Sequence, residues 1–129
     1  MAAKLTFRNP SALRPPNGYT YAVEIAQAER RLTISGQVGV AADGSIPDSA
    51  EGQIAQAFAN LRAILDDSGM GIGNIVKTTV YLTDRAHLAA FRAGRAAALG
   101  DHAPASTLLF ISGLADPRFV VEIEAEAVA

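Results

Sequence analysis

The end of the chain constrains the fold most. Val121-Glu122-Ile123-Glu124-Ala125-Glu126-Ala127 alternates apolar and acidic side chains without a break, the period-two pattern of a strand with one buried face. Phe119, Val121, Ile123, Ala125 and Ala127 point one way, and Glu122, Glu124 and Glu126 the other. A row of like charges on one face repels itself unless water or cations attend it. The acidic face is therefore either open surface or the wall of a polar site. For Glu124 and Glu126 a solvated or inter-subunit structural role is the simpler reading. For Glu122, nearest the loop that ends at Pro117, both readings stand.

Periodicity fixes most of the remaining elements. Ile54, Phe58, Leu61 and Leu65 recur at helical spacing, with Ala57 and Ile64 beside them. Asp48 or Ser49 can cap this helix, Glu51 suits its first turn, and Gly69 ends it. The β-branched run over 74–83 predicts a strand. Asp84 can cap a second helix over about 85–99, closed by Gly100. Before the first helix, 4–8 makes a short strand or arm ahead of Pro10, Pro15 and Pro16. The runs 21–27 and 31–36 read as strands, and their short spacing predicts an antiparallel hairpin. Val38 and Val40 extend the second run, and Asp43-Gly44 marks a tight turn. Strands return over 107–112 and 119–128. The order β-β-β-α-β-α-β-β predicts an α+β fold, a mixed β-sheet with two helices packed on one face. The uncovered face is then expected to stay partly apolar and to be buried against other subunits.

Composition narrows the function classes. The 129 residues suit one domain over 1–129. No apolar run approaches the ~20 residues of a membrane-spanning helix, and Met1-Ala2-Ala3-Lys4 lacks a secretory-signal core. Eleven basic against thirteen acidic side chains give a net charge of −2, which argues against a nucleic-acid partner. With no cysteine, disulfides, thiol nucleophiles and cysteine-ligated zinc are excluded. The same absence agrees with a cytoplasmic protein.

Few motifs survive comparison with their structural alternatives. Gly69-Met70-Gly71-Ile72-Gly73 imitates a phosphate-binding loop, but it follows a helix and precedes a strand, the reverse of the required order. It reads as a helix C-cap and turn. Ser35-Gly36 lacks the nucleophile elbow, so a strand-end serine with a close backbone approach, able to present an N–H to a ligand, is preferred. His87 and His102 have no metal-ligand spacing. Arg92 sits beside the apolar stripe of its helix, flanked by Leu88, Phe91, Arg95 and Leu99. Its stem can simply lie along that stripe, or its guanidinium can meet a ligand carboxylate bidentately.

Four segments together resemble a known family. Leu32-Thr33-Ile34-Ser35-Gly36-Gln37, the run Asn74 to Asp84, Pro104-Ala105-Ser106-Thr107 and Val121-Glu122-Ile123-Glu124-Ala125 are similar to the Rid family. These are the YjgF-like reactive-intermediate deaminases, also labelled endoribonuclease L-PSP. The resemblance implies a chorismate-mutase-like subunit in a homotrimer, with a small-molecule metabolite bound in each inter-subunit cleft. It also implies hydrolysis of enamines or imines such as 2-aminoacrylate, without metal or cofactor. By the resemblance, Glu122 holds the attacking water, Tyr21 (or Tyr19) lines the cleft, and the Ser35-Gly36 backbone faces the ligand. Where deaminating members carry a carboxylate-binding arginine, this chain has Ser106. Losing such a charge-assisted contact costs about 1.5–3 kcal/mol, so 2-aminoacrylate is not the expected substrate. Arg92 is the candidate to take over, with Ser106 and Thr107 as neutral hydrogen-bond donors. The alternative is a non-catalytic small-molecule-binding or protein-interaction trimer on the same scaffold. Acidity and scarce aromatics argue against the ribonuclease activity in the family label.

Overall fold

The computed structural model describes residues 3–129. Met1 and Ala2, part of the segment judged to lack a secretory signal, lie outside the described residues. The elements run β1 (Lys4–Arg8), β2 (Ala22–Ala26), β3 (Arg31–Val38), α1 (Ala50–Asp67), β4 (Ile75–Leu82), α2 (Leu88–Leu99), β5 (Ala105–Phe110) and β6 (Val121–Val128). The expected order of strands and helices holds throughout.

Local chemistry sets the helix ends. Ser49 caps α1, its hydroxyl accepting from Gly52 N at 3.0 Å, and Gly69 (φ +68°) follows the end of the helix. The glycine-rich segment is thus a turn, as expected, continuing into a short 3-10 turn held by Asn74. Asp84 accepts from Ala86 N and starts a 3-10 turn over Arg85–His87 before α2 proper. On α1, Ile54, Ala57, Phe58, Leu61 and Leu65 are buried; on α2, Phe91 and Leu99 are. Phe58 and Phe91 stack with centroids 6.0 Å apart. Fully burying side chains of this size contributes about 1.5–3 kcal/mol each.

The main sheet has the order β3-β6-β4-β5. β4 and β5 are parallel, joined by the α2 crossover that such a pair requires. β6 runs antiparallel to both β3 and β4, so the last segment of the chain becomes a central strand. Val121, Ile123, Ala125 and Ala127 are consequently buried against the helices.

Two expectations are corrected. β2 does not form a hairpin with β3; it pairs with β1, from Lys4↔Ala26 to Arg8↔Ala22, in a separate two-stranded sheet. Gln27 takes φ +59° and redirects the chain. Ala129 then captures the start of β3, its carbonyl accepting from Glu29 N and Arg30 N while its own N–H donates to Arg30 O. The longer ladder on β6 outweighs the short connection. The uncovered sheet face is also polar rather than apolar. Strand alternation puts Lys77, Thr79, Tyr81, Glu122, Glu124 and Glu126 there, and Leu109, 46 % exposed, is its large apolar exception.

Candidate functional site

Glu122 lies on the open face of the central strand, paired across to Tyr81 on β4 and Val38 on β3. The β3–β6 register shifts between Ile34 and Gln37, so Ser35 and Gly36 together oppose Glu124. This is a β-bulge, which bends the strand and frees backbone groups from the ladder. The bulge brings Gly36 under the Glu122 side chain. A Cβ at Gly36 would sit 1.9 Å from Glu122 Oε2; only a glycine leaves room for the carboxylate in this position. Glu122 is half-buried and has no hydrogen bond or ion pair among the described residues. Its neighbour Glu124 is engaged differently, accepting a short hydrogen bond from the Tyr81 hydroxyl. That bond pushes the Tyr81 phenol above its ordinary value, with burial and the charges of Glu124 and Glu122 adding to the shift. Glu126, like Glu122, has no hydrogen bond or ion pair among the described residues; of the three acids, Glu122 is distinguished by its seat over Gly36.

A second constellation lies on the helix side of the same sheet. Tyr19, Leu88, Arg92, Arg95 and Ser106 line a cavity of about 230 Å³. Thr20 N donates to Pro104 O, and Thr20 bridges to Ala105, which holds the Tyr19 segment along the β5 edge. Ser106 Oγ accepts from the buried Thr78 hydroxyl at 3.0 Å, so its own proton is free to point into the cavity. Arg95 lies over the Phe91 ring, 5.8 Å from its centroid. Its Nη2 would be 2.1 Å from a Cβ on Gly18, where φ is +78°. Burial, and then the charge of Arg92, hold the Arg95 guanidinium below its ordinary pKa. Neither arginine has an ion-pair partner among the described residues.

The site residues expected from the sequence thus fall into two groups. Glu122, Ser35 and Gly36 share the open face; Arg92 and Ser106 share the cavity under α2. β4 alternation puts these groups on opposite faces, since Glu122 pairs with Tyr81 whereas Ser106 pairs with Thr78. Thr107 is separated from Ser106 for the same reason and accepts from Lys77 Nζ at 2.7 Å. Tyr21 is outside the cavity lining: its hydroxyl donates to Arg14 O, and its ring meets Tyr19 edge-on at 5.5 Å. Tyr19 is the aromatic that reaches the cavity. His102 is structural, with Nε2 2.8 Å from Ile75 O and its ring edge-on to Phe7. Among the described residues, no cluster of three or more His, Cys, Asp or Glu could hold a metal ion.

Three residues escaped sequence reasoning. Arg95 stands three positions after Arg92, a spacing that signals a shared face. Tyr81 was readable as outward-facing, but its pairing with Glu122 needed the register. Gln53, buried on α1, donates to Pro47 O and Arg118 O and accepts from Val120 N, tying the helix to the entry of β6. No sequence signal marked it.

The class follows from these features: an α+β subunit with its helices on one sheet face, an unpartnered carboxylate on the other, and an arginine-lined hollow at its edge. The chain belongs to the endoribonuclease L-PSP family, the Rid (YjgF) proteins, whose family model matches residues 9–129. It is 32% identical over 124 residues to the 2-iminobutanoate/2-iminopropanoate deaminase of Escherichia coli K12, covering 92% of this chain and 91% of that one. It is 38% identical over 78 residues to a RutC family protein of Aquifex aeolicus, a match that covers 60% of each chain, less than two thirds of that relative. Among solved structures, a Rid family protein of unknown function, YyfB from Yersinia pestis, superposes over 100% of both chains with a TM-score of 0.88 and 31% identity. No helix among the described residues is long and apolar enough to cross a membrane.

Proposed function

We propose that the protein is a cofactor-independent hydrolase that deaminates a small imine or enamine, with Glu122 as the group that holds and activates water. The observation that carries this reading is the Glu122 carboxylate, unpartnered and seated over Gly36 on the central strand. Family membership and the deaminase relatives support it. The carboxylate accepts a proton as water oxygen bonds to the imine carbon, and the C=N π pair moves to nitrogen. Nitrogen takes up the protons, the C–N bond breaks with its electrons, and ammonia leaves as the hydroxyl becomes a carbonyl. One water is consumed per ammonia released.

A carboxylate-bearing substrate needs a cation, and Ser106 supplies none. Arg92 takes that role in this proposal, with Ser106 and Tyr19 orienting the ligand. Because Glu122 and Arg92 occupy opposite sheet faces of one protomer, the working site is completed where the open face of one copy meets the α2 edge of the next, in a homotrimer. The lack of cysteine suits a reducing compartment such as the cytoplasm.

Glu122→Gln tests the reading. Against imines generated in situ from a panel of amino acids, ammonia release should fall by at least ~100-fold while the oligomer and melting temperature stay as in the wild type. Full activity in this variant would sink the mechanism. Ser106, in place of the family arginine, favours a second reading: a trimer that binds a small molecule or protein without catalysis. No acceleration with any imine, together with a thermal shift by one metabolite, would select it.

A further inference from the structure

The cavity under α2 does not end at Tyr19 and Ser106. A second hollow, of about 420 Å³, adjoins it, and Asn17, Arg92 and Arg95 line both. The two arginines therefore form the divide between two compartments rather than the end of one. They stand three residues apart on α2, where side chains are neighbours, with Cβ atoms about 5–6 Å apart. Two like charges at that distance oppose each other, and Arg95 is partly buried as well. Arg92 is exposed and its charge is screened by water, so the cost falls mainly on the partly buried Arg95, and an anion beside it would offset that cost. No carboxylate in the described residues pairs with either arginine. Asp101, the one acid on the walls, belongs to the far hollow and is exposed.

Geometry holds Arg95 in place without a protein anion. Its guanidinium lies on Phe91 and against the bare backbone of Gly18, where any side chain would collide with it. A single substrate carboxylate needs only one planar fork. A second guanidinium, seated on Phe91 and Gly18 and reaching both hollows, can take a second anionic group. The near compartment adds Leu88 and Leu108, apolar walls suited to a short carbon chain.

We propose that this double compartment is a binding site for short dicarboxylates, one carboxylate on Arg92 and the other on Arg95. Resting on the hydrolase reading above, the preferred substrate is then a 2-imino dicarboxylic acid, the product expected when an acidic amino acid is oxidised at its α-carbon. The occupant is distinguished from a phosphate ester by having its charges at two ends of a chain, matching two guanidiniums that stand between two adjoining hollows.

Binding of stable probes tests this without turnover. Succinate, glutarate, butyrate and inorganic phosphate are titrated calorimetrically into the whole protein at constant ionic strength. A dicarboxylate should bind at least ~10-fold more tightly than butyrate, the lower end of what one charge-assisted contact supplies. Arg95→Gln should erase that preference, Arg95→Lys should restore part of it, and the exposed Arg31→Gln should leave it intact. Arg92→Gln, at an exposed position, gives an independent loss should Arg95→Gln prove unstable. Equal affinities for succinate, glutarate and butyrate would overturn the proposal, as would phosphate binding more tightly than either dicarboxylate, no dicarboxylate binding, or an unchanged preference in Arg95→Gln. A failed Glu122→Gln test removes the hydrolase but leaves these binding results standing, so the two failures are separable.

Discussion

Gly36→Ala separates the carboxylate's position from the stability of the fold. The new methyl carbon would lie 1.9 Å from Glu122 Oε2, 2.7 Å from Cδ and 2.8 Å from Cγ. Ordinary contact begins near 3.5 Å, so the carboxylate must withdraw by roughly 1.5 Å. The atoms in the way belong to a flexible side chain, and Gly36 does not have a positive φ. Alanine is therefore tolerated by the backbone. Moving Glu122 off its rotamer costs about 0.5–1.5 kcal/mol. Against this, alanine restricts the unfolded chain, a gain of about 0.4–1 kcal/mol. The net change should stay within about 1 kcal/mol, roughly 4 °C in melting temperature for a chain of this size. Activity should respond very differently, because a displacement near 1 Å at a catalytic group can cost about 100-fold. Coupled ammonia-release assays on the imine panel, run beside thermal melts, give both numbers. In the Glu122→Gln background the alanine should have no further effect on rate, since both changes act on one group. Retention of more than half the wild-type rate would refute the assignment of Glu122 at this position. A melting temperature lowered by more than ~10 °C would instead make Gly36 a folding residue.

Two further outcomes follow from contacts outside the site. Gln53→Leu removes the partners of Pro47 O, Arg118 O and Val120 N at once. Urea unfolding should show a loss of about 2–4 kcal/mol, and a loss below ~1 kcal/mol would mean that water replaces the amide. Asp116 is held down to about 2, first by the Arg118 side chain and then by its backbone N–H. The native carboxyl thus binds its proton less readily than the unfolded one, so its contribution is present above the ordinary 3.8 and is lost as pH falls through about 2. Asp116→Asn should flatten the decline of the urea midpoint across that window. An unchanged slope would show that the Asp116–Arg118 contact does not contribute to folding.

What was legible in the sequence was what depends on local periodicity. The stripe of Ile54, Phe58, Leu61 and Leu65, the Ser49 and Asp84 caps and the alternation of β6 all specify their elements from neighbours alone. What depends on pairing was not legible. The short spacing of β2 and β3 implied a hairpin, yet β3 was claimed by a strand more than eighty residues later, with Arg31 opposite Val128. That ladder is stabilised by the burial of β6 on its apolar side, which no inspection of residues 21–36 can reveal. The polar open face had the same origin. The glutamates were seen to point together, but their position at the centre of the sheet, between β3 and β4, depended on register.

The candidate site divides along the same line. Glu122 and Gly36 could be named from sequence, but only the bulge between Ile34 and Gln37 puts one above the other. A straight ladder would have kept β3 in regular alternation, without the extra residue that carries Gly36 under the carboxylate. The arginine question shows the converse. Ser106 and Arg92 are fourteen positions apart and on different elements, so the neutral side chain at one and the charge at the other looked unrelated. In the fold they line one cavity, and Arg95 joins them from the next turn of α2. The neutral Ser106 on β5 thus shares its cavity with two positive charges from α2. The neutral Ser106, read at one strand position, suggests a site without a cation. Read in the cavity, with Arg92 and Arg95 on the facing helix and no protein acid paired with either, the same site suggests an anionic ligand.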